Sequence, residues 1–304
     1  MLGNQQLSFV PDLYFSLEHL RTQASGEIYT FMLFRQNNKY AAAIFHCSRD
    51  PEDNWHSPIA APFGGIQSDR KCTENELTFL LNCVKKWVIL FSGKKLTVKT
   101  AATAYDPEMH TLYHNCYSNT GFIQEHVYPN HFIPVSPAFF SDRITAAEKR
   151  RLKKAEAANF TSGPDFTVSC KAAYDFIQEN RRQKGYSVSI SFQQMQRLMR
   201  NFPENFRIFT VKDTNRIIAL SMTVRVNERV LYHFLSADLC SYRQFSPTVK
   251  LLESIYQFCQ EQQIKVLDLG ISVDENGMQK PSLSRFKKNV GGEECHKITY
   301  SQDF

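Results

Sequence analysis

The sequence contains no long hydrophobic run. A helix needs about 18 consecutive apolar residues to cross a bilayer, and even a strongly apolar stretch such as WVILF at 87–91 ends at Ser92. The first residues, MLGNQQLSFVPDL, also lack the basic-then-apolar order of a secretory signal. The sequence therefore predicts a cytoplasmic protein without a membrane span.

Close pairs of metal-binding or disulfide-forming residues are missing as well. The chain has 8 cysteines, but none belongs to a CxxC pair, whereas zinc sites and disulfide frameworks usually show such pairs. His110 and His114 have a helical spacing that can bind a metal, but no acidic or cysteine partner stands at a fixed distance from them. We therefore expect free thiols and no metal site.

The common catalytic signatures are also absent. The sequence has no GxSxG elbow, no P-loop and no GxGxxG dinucleotide motif. Its composition, 42% hydrophobic and 22% charged, is that of a folded globular protein, and 304 residues exceed the usual size of a single core. The net charge of +6 is compatible with an anionic partner such as RNA, a nucleotide or a coenzyme.

What the sequence does contain is an order of elements that occurs twice. In the first half, two strand-like runs at 27–49 flank an Asn-Asn pair and predict a hairpin. A capping box, Thr73 with Glu76, begins a predicted helix at 73–93. In the second half, three strand-like runs at 206–237 precede a helix with a proline in its first turn and a buried strand. The repetition predicts an α/β (α+β) chain built from two copies of one unit.

A change of composition marks the boundary between the two copies. The run SDRITAAEKRRLKKAEAAN has many helix formers and almost no bulky apolar side chain, which is typical of a bridging or surface helix. We predict an N-terminal domain at 1–140, a helical linker at 141–165 and a C-terminal domain at 166–304 that carries the active site. The basic segment EKRRLKK is either a solvated helix face or a phosphate-binding patch.

One junction in the C-terminal half has the features of a ligand site. A predicted strand ends near Tyr232 and leads through a loop with Arg243, Ser246 and Thr248 to the start of a helix. Helix N-termini offer free N–H groups and a positive dipole end to anions. The residues alone leave two interpretations open: a site for a phosphate- or carboxyl-bearing ligand, or a capped helix with a surface arginine.

The second half also resembles a known family. The helix start SPTVK at 246–250, the strand VLDLG at 266–270 and the closing stretch LSRFKKNVGG at 283–292 are similar to the FemABX-type acyl- and aminoacyl-transferases and to a related acetyltransferase domain. These proteins consist of two tandem GNAT-like (N-acetyltransferase) folds, each a mixed and mostly antiparallel sheet flanked by helices. The resemblance covers most of the chain and is strongest over about 205–300.

The resemblance implies a donor site at the loop before the helix. In GNAT enzymes the backbone N–H groups of this loop hold the pyrophosphate of coenzyme A, and the matching residues here are Arg243, Gln244, Ser246 and Thr248. The donor would be acyl-CoA or aminoacyl-tRNA, bound as a substrate, with no tightly bound cofactor. Larger side chains replace the small residues of the family's loop, and Pro247 has no N–H, which slightly favours the tRNA-linked donor.

The resemblance also implies substrate contacts elsewhere. Phe286 and Lys287 would border the cleft of the second domain, where the lysine stabilises an oxyanion; a basic surface loop is the alternative. Phe63, Gly64 and Gly65 stand where the family has a Pro-Arg-Gly-Pro stretch, with Phe63 in place of the arginine.

Further candidate catalytic side chains are Tyr232, His233 and Tyr256. The first two are neighbours on a predicted strand, so that regular alternation turns at most one of them toward the cleft. No residue qualifies as the catalytic base from the sequence alone.

The expected function is transfer of an acyl or aminoacyl group to the amine of a small molecule or peptide, with tRNA as a possible partner. The alternative is a tandem-GNAT binding or scaffold protein without activity, which the altered donor loop favours. A plain RNA-binding protein ranks third, because the chain has no aromatic-rich RNA motif. The oligomeric state stays open.

Overall fold

The computed structural model describes residues 7–23, 26–58, 60–274 and 277–304. The chain forms two compact units. Unit 1 takes the described residues up to Tyr128 together with His296–Phe304, and unit 2 takes Pro129–Cys295. The division therefore differs from the predicted boundary at 140/141, and the last strand of the chain lies in unit 1. Within the described ranges, no helix is long and apolar enough to span a membrane.

Unit 1 is a mixed sheet with helices. Its elements, in chain order, are α1 (Leu17–Gln23), β1 (Tyr29–Phe34), β2 (Ala41–Arg49), β3 (Asn54–Ser57), β4 (Gly65–Ser68), α2 (Glu74–Leu90), β5 (Lys95–Ala102), α3 (Pro107–Asn119), the first part of β6 (Ile123–Pro134) and most of β12 (Glu293–Asp303). The predicted hairpin is β1 and β2, which pair in antiparallel register. β3 and β5 pair in parallel, and α2 lies in the connection between them.

The core of unit 1 forms under α2. Thr73 and Glu76 make both bonds of the predicted capping box at the start of this helix. The helix then buries one apolar stripe, whose members are Leu77, Leu80, Leu81, Val84 and Val88. These residues pack with Trp55 and Phe45 of the sheet, and their burial stabilises the unit through the hydrophobic effect.

Unit 2 repeats this arrangement. Its elements are the second part of β6, α4 (Phe140–Arg143), α5 (Ala146–Ala157), β7 (Thr161–Pro164), α6 (Cys170–Arg182), α7 (Phe192–Asn201), β8 (Phe206–Asp213), β9 (Arg216–Arg225), β10 (Val230–Asp238), α8 (Pro247–Glu261), β11 (Val266–Ile271), α9 (Pro281–Asn289) and the first residues of β12. The sheet order is β6-β11-β10-β9-β8-β7. All of these neighbours pair antiparallel except β10 and β11, which pair in parallel across α8.

The strands that complete the two sheets come from opposite halves of the sequence. β12 follows unit 2 but pairs with β5 of unit 1, whereas the end of β6 follows unit 1 but pairs with β11 of unit 2. Each half of the sequence thus supplies a strand to the other sheet. This exchange is the reason why the units do not coincide with the predicted sequence halves.

The segment predicted as a linker is part of unit 2. α5 buries Leu152 and Ala155 against α8, and β7 pairs with β8. A helix with few bulky side chains can still bury a narrow stripe when alanine lets its backbone approach a neighbour closely. The segment EKRRLKK therefore lies on a packed helix whose other faces carry the charges.

Candidate active site

The two parallel strands of unit 2 part in the middle of the sheet. β10 and β11 pair over Val230–Tyr232 with Val266–Asp268, and β10 then runs on to Asp238 beside β9. Polar side chains lie at this point. We call Tyr232, His233, Asp268 and Lys287 the fork site.

Lys287 reaches the fork site from α9. Its side chain is 7% exposed, and its Nζ donates hydrogen bonds of 2.8 Å to the carbonyl oxygens of Gly270 and Ile271. Burial lowers the pKa of Lys287 to about 8, although the negative charge of Asp268 acts in the opposite direction. An ammonium has three N–H donors, so one donor is left after the two carbonyl bonds. The stretch LSRFKK is a helix, not the surface loop that the sequence left open.

Asp268 is held on the same strand as the carbonyl that binds Lys287. Its Oδ1 accepts hydrogen bonds from Nδ2 of Asn130 at 2.7 Å and from the backbone N–H of Gly270 at 2.8 Å. The bond to Gly270 forms at a bulge in the pairing of β11 with β6. These two donors fix the orientation of the carboxyl group.

Tyr232 packs directly over Gly270. A Cβ atom on Gly270 would lie 3.3 Å from Cε2 of Tyr232, and the glycine has a φ of +76°. Burial and the charge of Asp268 raise the pKa of Tyr232. The phenol therefore keeps its proton at neutral pH and can act as a hydrogen-bond donor.

His233 lies close to two cations, Lys287 and Arg181 of α6. Its Nε2 is buried and has no hydrogen-bond partner among the described residues. Burial lowers its pKa to about 4, and the positive charges of Lys287 and Arg181 act in the same direction. An imidazole with such a low pKa is neutral at pH 7 and is a weak general base.

Tyr232 and His233 pair in regular register with Val224 and Thr223 of β9, and the register shifts only beyond them, between His233 and Leu235. That the two side chains face opposite sides of the strand therefore stays a prediction. The charge of Arg181 acts on both groups: it opposes the rise in the pKa of Tyr232 and adds to the fall in the pKa of His233.

A buried histidine stands behind the fork site. His131 of β6 is fully buried, with Ser272 at 3.2 Å from Nδ1 and Ser284 at 3.0 Å from Nε2. Burial and the charge of Lys287 lower its pKa. Both ring nitrogens have hydroxyl partners, so the neutral imidazole ties β6 to α9 and holds the helix that carries Lys287.

The predicted donor residues lie together at the start of α8. Arg243 and Gln244 are exposed on a short 3-10 helix, Cys240–Phe245, and Ser246 has a left-handed backbone with a φ of 48°. Pro247 is the first residue of α8, as predicted. The side chain of Ser246 makes no capping bond to the helix. The 3-10 helix follows β10 directly, so the start of α8 lies near the C-terminal end of β10.

The other predicted residues lie apart from this group. Tyr256 is fully buried in α8, where its hydroxyl oxygen accepts from Nε of Arg143 at 2.9 Å and from the backbone N–H of Ser136 at 3.2 Å. Through these bonds Tyr256 holds α8 against α4, which is a structural role. Phe286, next to Lys287, packs against the core of unit 2.

Phe63, Gly64 and Gly65 belong to unit 1, and they are packed inside it. Phe63 is 2% exposed, and its ring meets Tyr14 and Tyr105 edge to face. Gly64 donates its N–H to the carbonyl of Lys99. A Cβ on Gly65 would overlap the hydroxyl of Tyr117. The structure thus shows a structural reason for each of the three.

Three residues of the region were missed by the sequence reasoning. Arg181 gives no signal, because arginines at the end of a helix are common for electrostatic reasons. Asp268 and Gly270 had one: a carboxylate and a glycine inside a continuous apolar strand indicate a bulge or a closely approaching group. Within the described ranges, no group of three or more His, Cys, Asp or Glu is placed to hold a metal ion.

Comparison with known proteins shows what the chain is similar to. Residues 143–288 match the model of the acetyltransferase (GNAT) domain family, while no curated protein matches the sequence. The crystal structure of FemX is similar with a TM-score of 0.71 at 10% identity, covering 96% of this chain and 91% of that one.

Two further solved structures share the fold. The C-terminal domain of a putative lysylphosphatidylglycerol synthetase from Agrobacterium fabrum has a TM-score of 0.58 at 9% identity and covers 95% of this chain and 88% of that one. A tandem GNAT protein from the clavulanic acid biosynthesis pathway has a TM-score of 0.53 at 9% identity, with coverages of 92% and 84%.

Residues 143–288 therefore match the GNAT acetyltransferase domain family, and the chain as a whole has the fold of FemX. The predicted resemblance to FemABX-type proteins is confirmed, and so is the fold class of tandem GNAT-like sheets flanked by helices.

Proposed function

We propose that this FemABX-like protein transfers an acyl or aminoacyl group from acyl-CoA or aminoacyl-tRNA to the amine of a small molecule or peptide, and that the fork site of unit 2 is where transfer occurs. The observation that carries the proposal is the buried ammonium of Lys287. It is held by two backbone carbonyls at the point where β10 and β11 part. A buried cation of this kind is costly to a fold, and stabilising negative charge in a reaction is a reason to keep it.

The reaction needs a neutral amine and a stabilised oxyanion. The amine nitrogen attacks the carbonyl carbon of the thioester or ester, a C–N bond forms, and the C–S or C–O bond breaks. The remaining N–H of Lys287 stabilises the charge that develops on the carbonyl oxygen. The proton lost by the amine goes to the leaving thiolate or alkoxide through the hydroxyl of Tyr232, which donates its own proton to the leaving group and takes up the proton of the amine. His233, with a pKa of about 4, is assigned no role as the base.

The donor is assigned to the start of α8. The first turn of a helix offers unpaired N–H groups and a positive dipole end, which suit a phosphate. Arg243, Gln244, Ser246 and Thr248 surround this turn, with Arg243 exposed to reach the phosphates of either donor. Neither donor is a resident cofactor; both are consumed in the reaction.

The start of α8 also shows the observation that favours the second candidate function, a binding protein without activity. Pro247 removes one N–H from the first turn, and the left-handed Ser246 makes no capping bond. A protein that had lost its activity would keep its fold and have a weakened donor site of this kind.

A thermal-shift titration with acetyl-CoA, longer acyl-CoAs, free coenzyme A and aminoacyl-tRNA separates these possibilities. A ligand at a hundred times its Kd stabilises the folded state by about 2.7 kcal/mol, which is a shift of several degrees. We expect a shift that Arg243→Ala abolishes and that Arg150→Ala, which removes the same charge from an exposed position on α5, leaves unchanged. If neither a CoA species nor aminoacyl-tRNA shifts the melting temperature, the transferase proposal is wrong.

A further inference from the structure

The guanidinium of Arg181 is a half-buried cation without an acidic partner among the described residues. It lies at the end of α6, and its Nε donates a 3.3 Å hydrogen bond to the carbonyl oxygen of Ser236 on β10. Burial lowers its pKa, and the nearby phenol of Tyr232 acts in the opposite direction. Its two terminal NH₂ groups make no hydrogen bond or ion pair with the described part of the chain.

The acidic side chains of the neighbouring elements are engaged by other cations. On α6, Asp175 pairs with Lys171 and Glu179 pairs with Arg182. On β10, Asp238 pairs with Lys184 at 2.6 Å. The fold thus supplies counter-charges for the other cations around Arg181 but leaves the guanidinium itself unmatched.

The fork site holds a second unmatched group beside Arg181. Nε2 of His233 is buried and finds no partner in the described part of the chain, and the charge of Arg181 acts on this ring. The one acidic side chain of the fork site, Asp268, is bound by Asn130 and Gly270 and lies close enough to Lys287 for their charges to interact. Apart from Lys287 and Tyr232, which are assigned to the reaction, the unmatched groups are therefore one cation and one neutral imidazole, which together suit a single negative charge.

We propose that the acceptor is an amino acid or peptide whose free carboxylate is bound by Arg181 and His233, so that its amine is presented to the fork site. A guanidinium has a planar fork of N–H donors that matches a carboxylate in two parallel hydrogen bonds. A carboxylate carries the single charge that one arginine balances, whereas a phosphate monoester carries nearly two. This inference rests on the proposed transfer reaction and specifies its acceptor.

The first test needs no variant. Binding of the natural amino acids and a set of dipeptides is measured by thermal shift and by ligand-observed NMR, each acid against its C-terminal amide, with phosphoethanolamine as a phosphate-bearing amine. The acid and the amide share the amine and the side chain and differ in the carboxylate alone. We expect at least one acid to bind about ten- to a hundredfold more tightly than its amide, the range expected for one or two charge-assisted hydrogen bonds. If no acid exceeds its amide by about tenfold, or if phosphoethanolamine binds more tightly than every acid, the inference is wrong.

Variants then locate the carboxylate. Arg181→Gln should bring the acid and the amide to equal affinity, while Arg182→Gln, on the same helix but exposed and paired with Glu179, should preserve the difference. Arg181→Lys keeps the charge and the fold but loses the planar fork, and should lose about tenfold of the discrimination. A purely structural role of Arg181 would weaken acid and amide alike, so unchanged discrimination in both Arg181 variants would overturn the assignment.

The two proposals fail in distinguishable ways. Binding is measured without a donor and so does not depend on transfer. Preference for the acid without any transfer would support the carboxylate site and contradict the proposed transferase activity. Transfer to acids and amides with equal kcat/KM would support the transferase activity and contradict the carboxylate site.

Discussion

The buried ammonium of Lys287 should leave a measurable signature in stability. Its pKa is about 8 in the folded protein, against an ordinary value of 10.5. Between these two values the unfolded chain binds a proton that the folded protein has released, so the free energy of unfolding rises with pH. At 1.36 kcal/mol for each pH unit, the rise amounts to about 3 kcal/mol. Below pH 8 both states are protonated, and the cost of burying the charge is present in full.

The substitution Lys287→Met removes this dependence and keeps the shape of the side chain. At pH 7 the variant gains by not burying a charge but leaves the carbonyls of Gly270 and Ile271 without their donor, at a cost of about 1–3 kcal/mol each. The two effects nearly offset each other at pH 7. The difference in slope does not depend on that balance: wild type should gain about 3 kcal/mol relative to the variant between pH 7.5 and 10.5.

Urea unfolding at several pH values measures this difference, because titrations common to both proteins cancel. The matched control is Lys288→Met, since Lys288 is half-exposed and pairs with Glu294 at 2.6 Å; its pH profile should run parallel to that of wild type. Parallel profiles for Lys287→Met and wild type would show that Lys287 is not buried as a charge and would refute this reasoning.

Three further predictions concern Gly270, Asp268 and Tyr256. Gly270→Ala places a Cβ 3.3 Å from Tyr232 at a φ of +76°, and should cost about 1–2 kcal/mol in urea unfolding. Asp268→Asn removes a charge that raises the pKa of Lys287; because oxyanion stabilisation needs the protonated amine, the alkaline loss of transfer activity should begin at a lower pH. Tyr256→Phe should lower the free energy of unfolding by about 1–3 kcal/mol, since it deletes a buried and fully bonded hydroxyl, without changing the Kd of the donor.

Each of these predictions has its own control or contradiction. Gly163→Ala, where an added Cβ meets nothing within 4 Å and the φ is ordinary, should be nearly neutral. An alkaline limb that stays in place in Asp268→Asn would separate Lys287 from the activity. A large change in donor affinity in Tyr256→Phe, with stability unchanged, would return Tyr256 to the catalytic candidates.

Local signals in the sequence were sufficient for most helices and strands. The capping box of Thr73 and Glu76 and the first-turn proline of α8 appear where the spacing placed them. The reason is that caps, prolines and apolar periodicity act within a few residues, so a short window contains the physics that decides them. The same windows carried the family resemblance.

Pairing between distant segments was beyond such signals. Nothing in the pattern of β6 or β12 shows which strand each one will join, because an apolar strand fits many neighbours equally well. The boundary at 140/141 and the linker at 141–165 followed from reading the two halves as self-contained. α5 was judged by its lack of bulky side chains, although small residues such as Ala155 permit close packing.

The candidate site was predictable in part for the same reason. Lys287 and the residues around Ser246 were found through motifs, which are local. Their relation to Asp268 depends on where two strands part, and the effect of Arg181 on His233 depends on the contact of α6 with β10. Both are consequences of tertiary structure. The unmatched charge of Arg181 becomes visible only when its neighbours are seen to be paired with other groups.

The central claim is that acyl transfer takes place at the fork site around Lys287. Its most direct test is product formation by mass spectrometry, with acetyl-CoA and with aminoacyl-tRNA as donors and a panel of amines as acceptors, using wild type, Lys287→Met and Lys288→Met at equal concentrations. We expect an acylated product from wild type and Lys288→Met, and a rate about a hundred- to a thousandfold lower from Lys287→Met, the usual effect of removing one oxyanion donor. Equal rates from wild type and Lys287→Met, or no product with either donor, would contradict the claim.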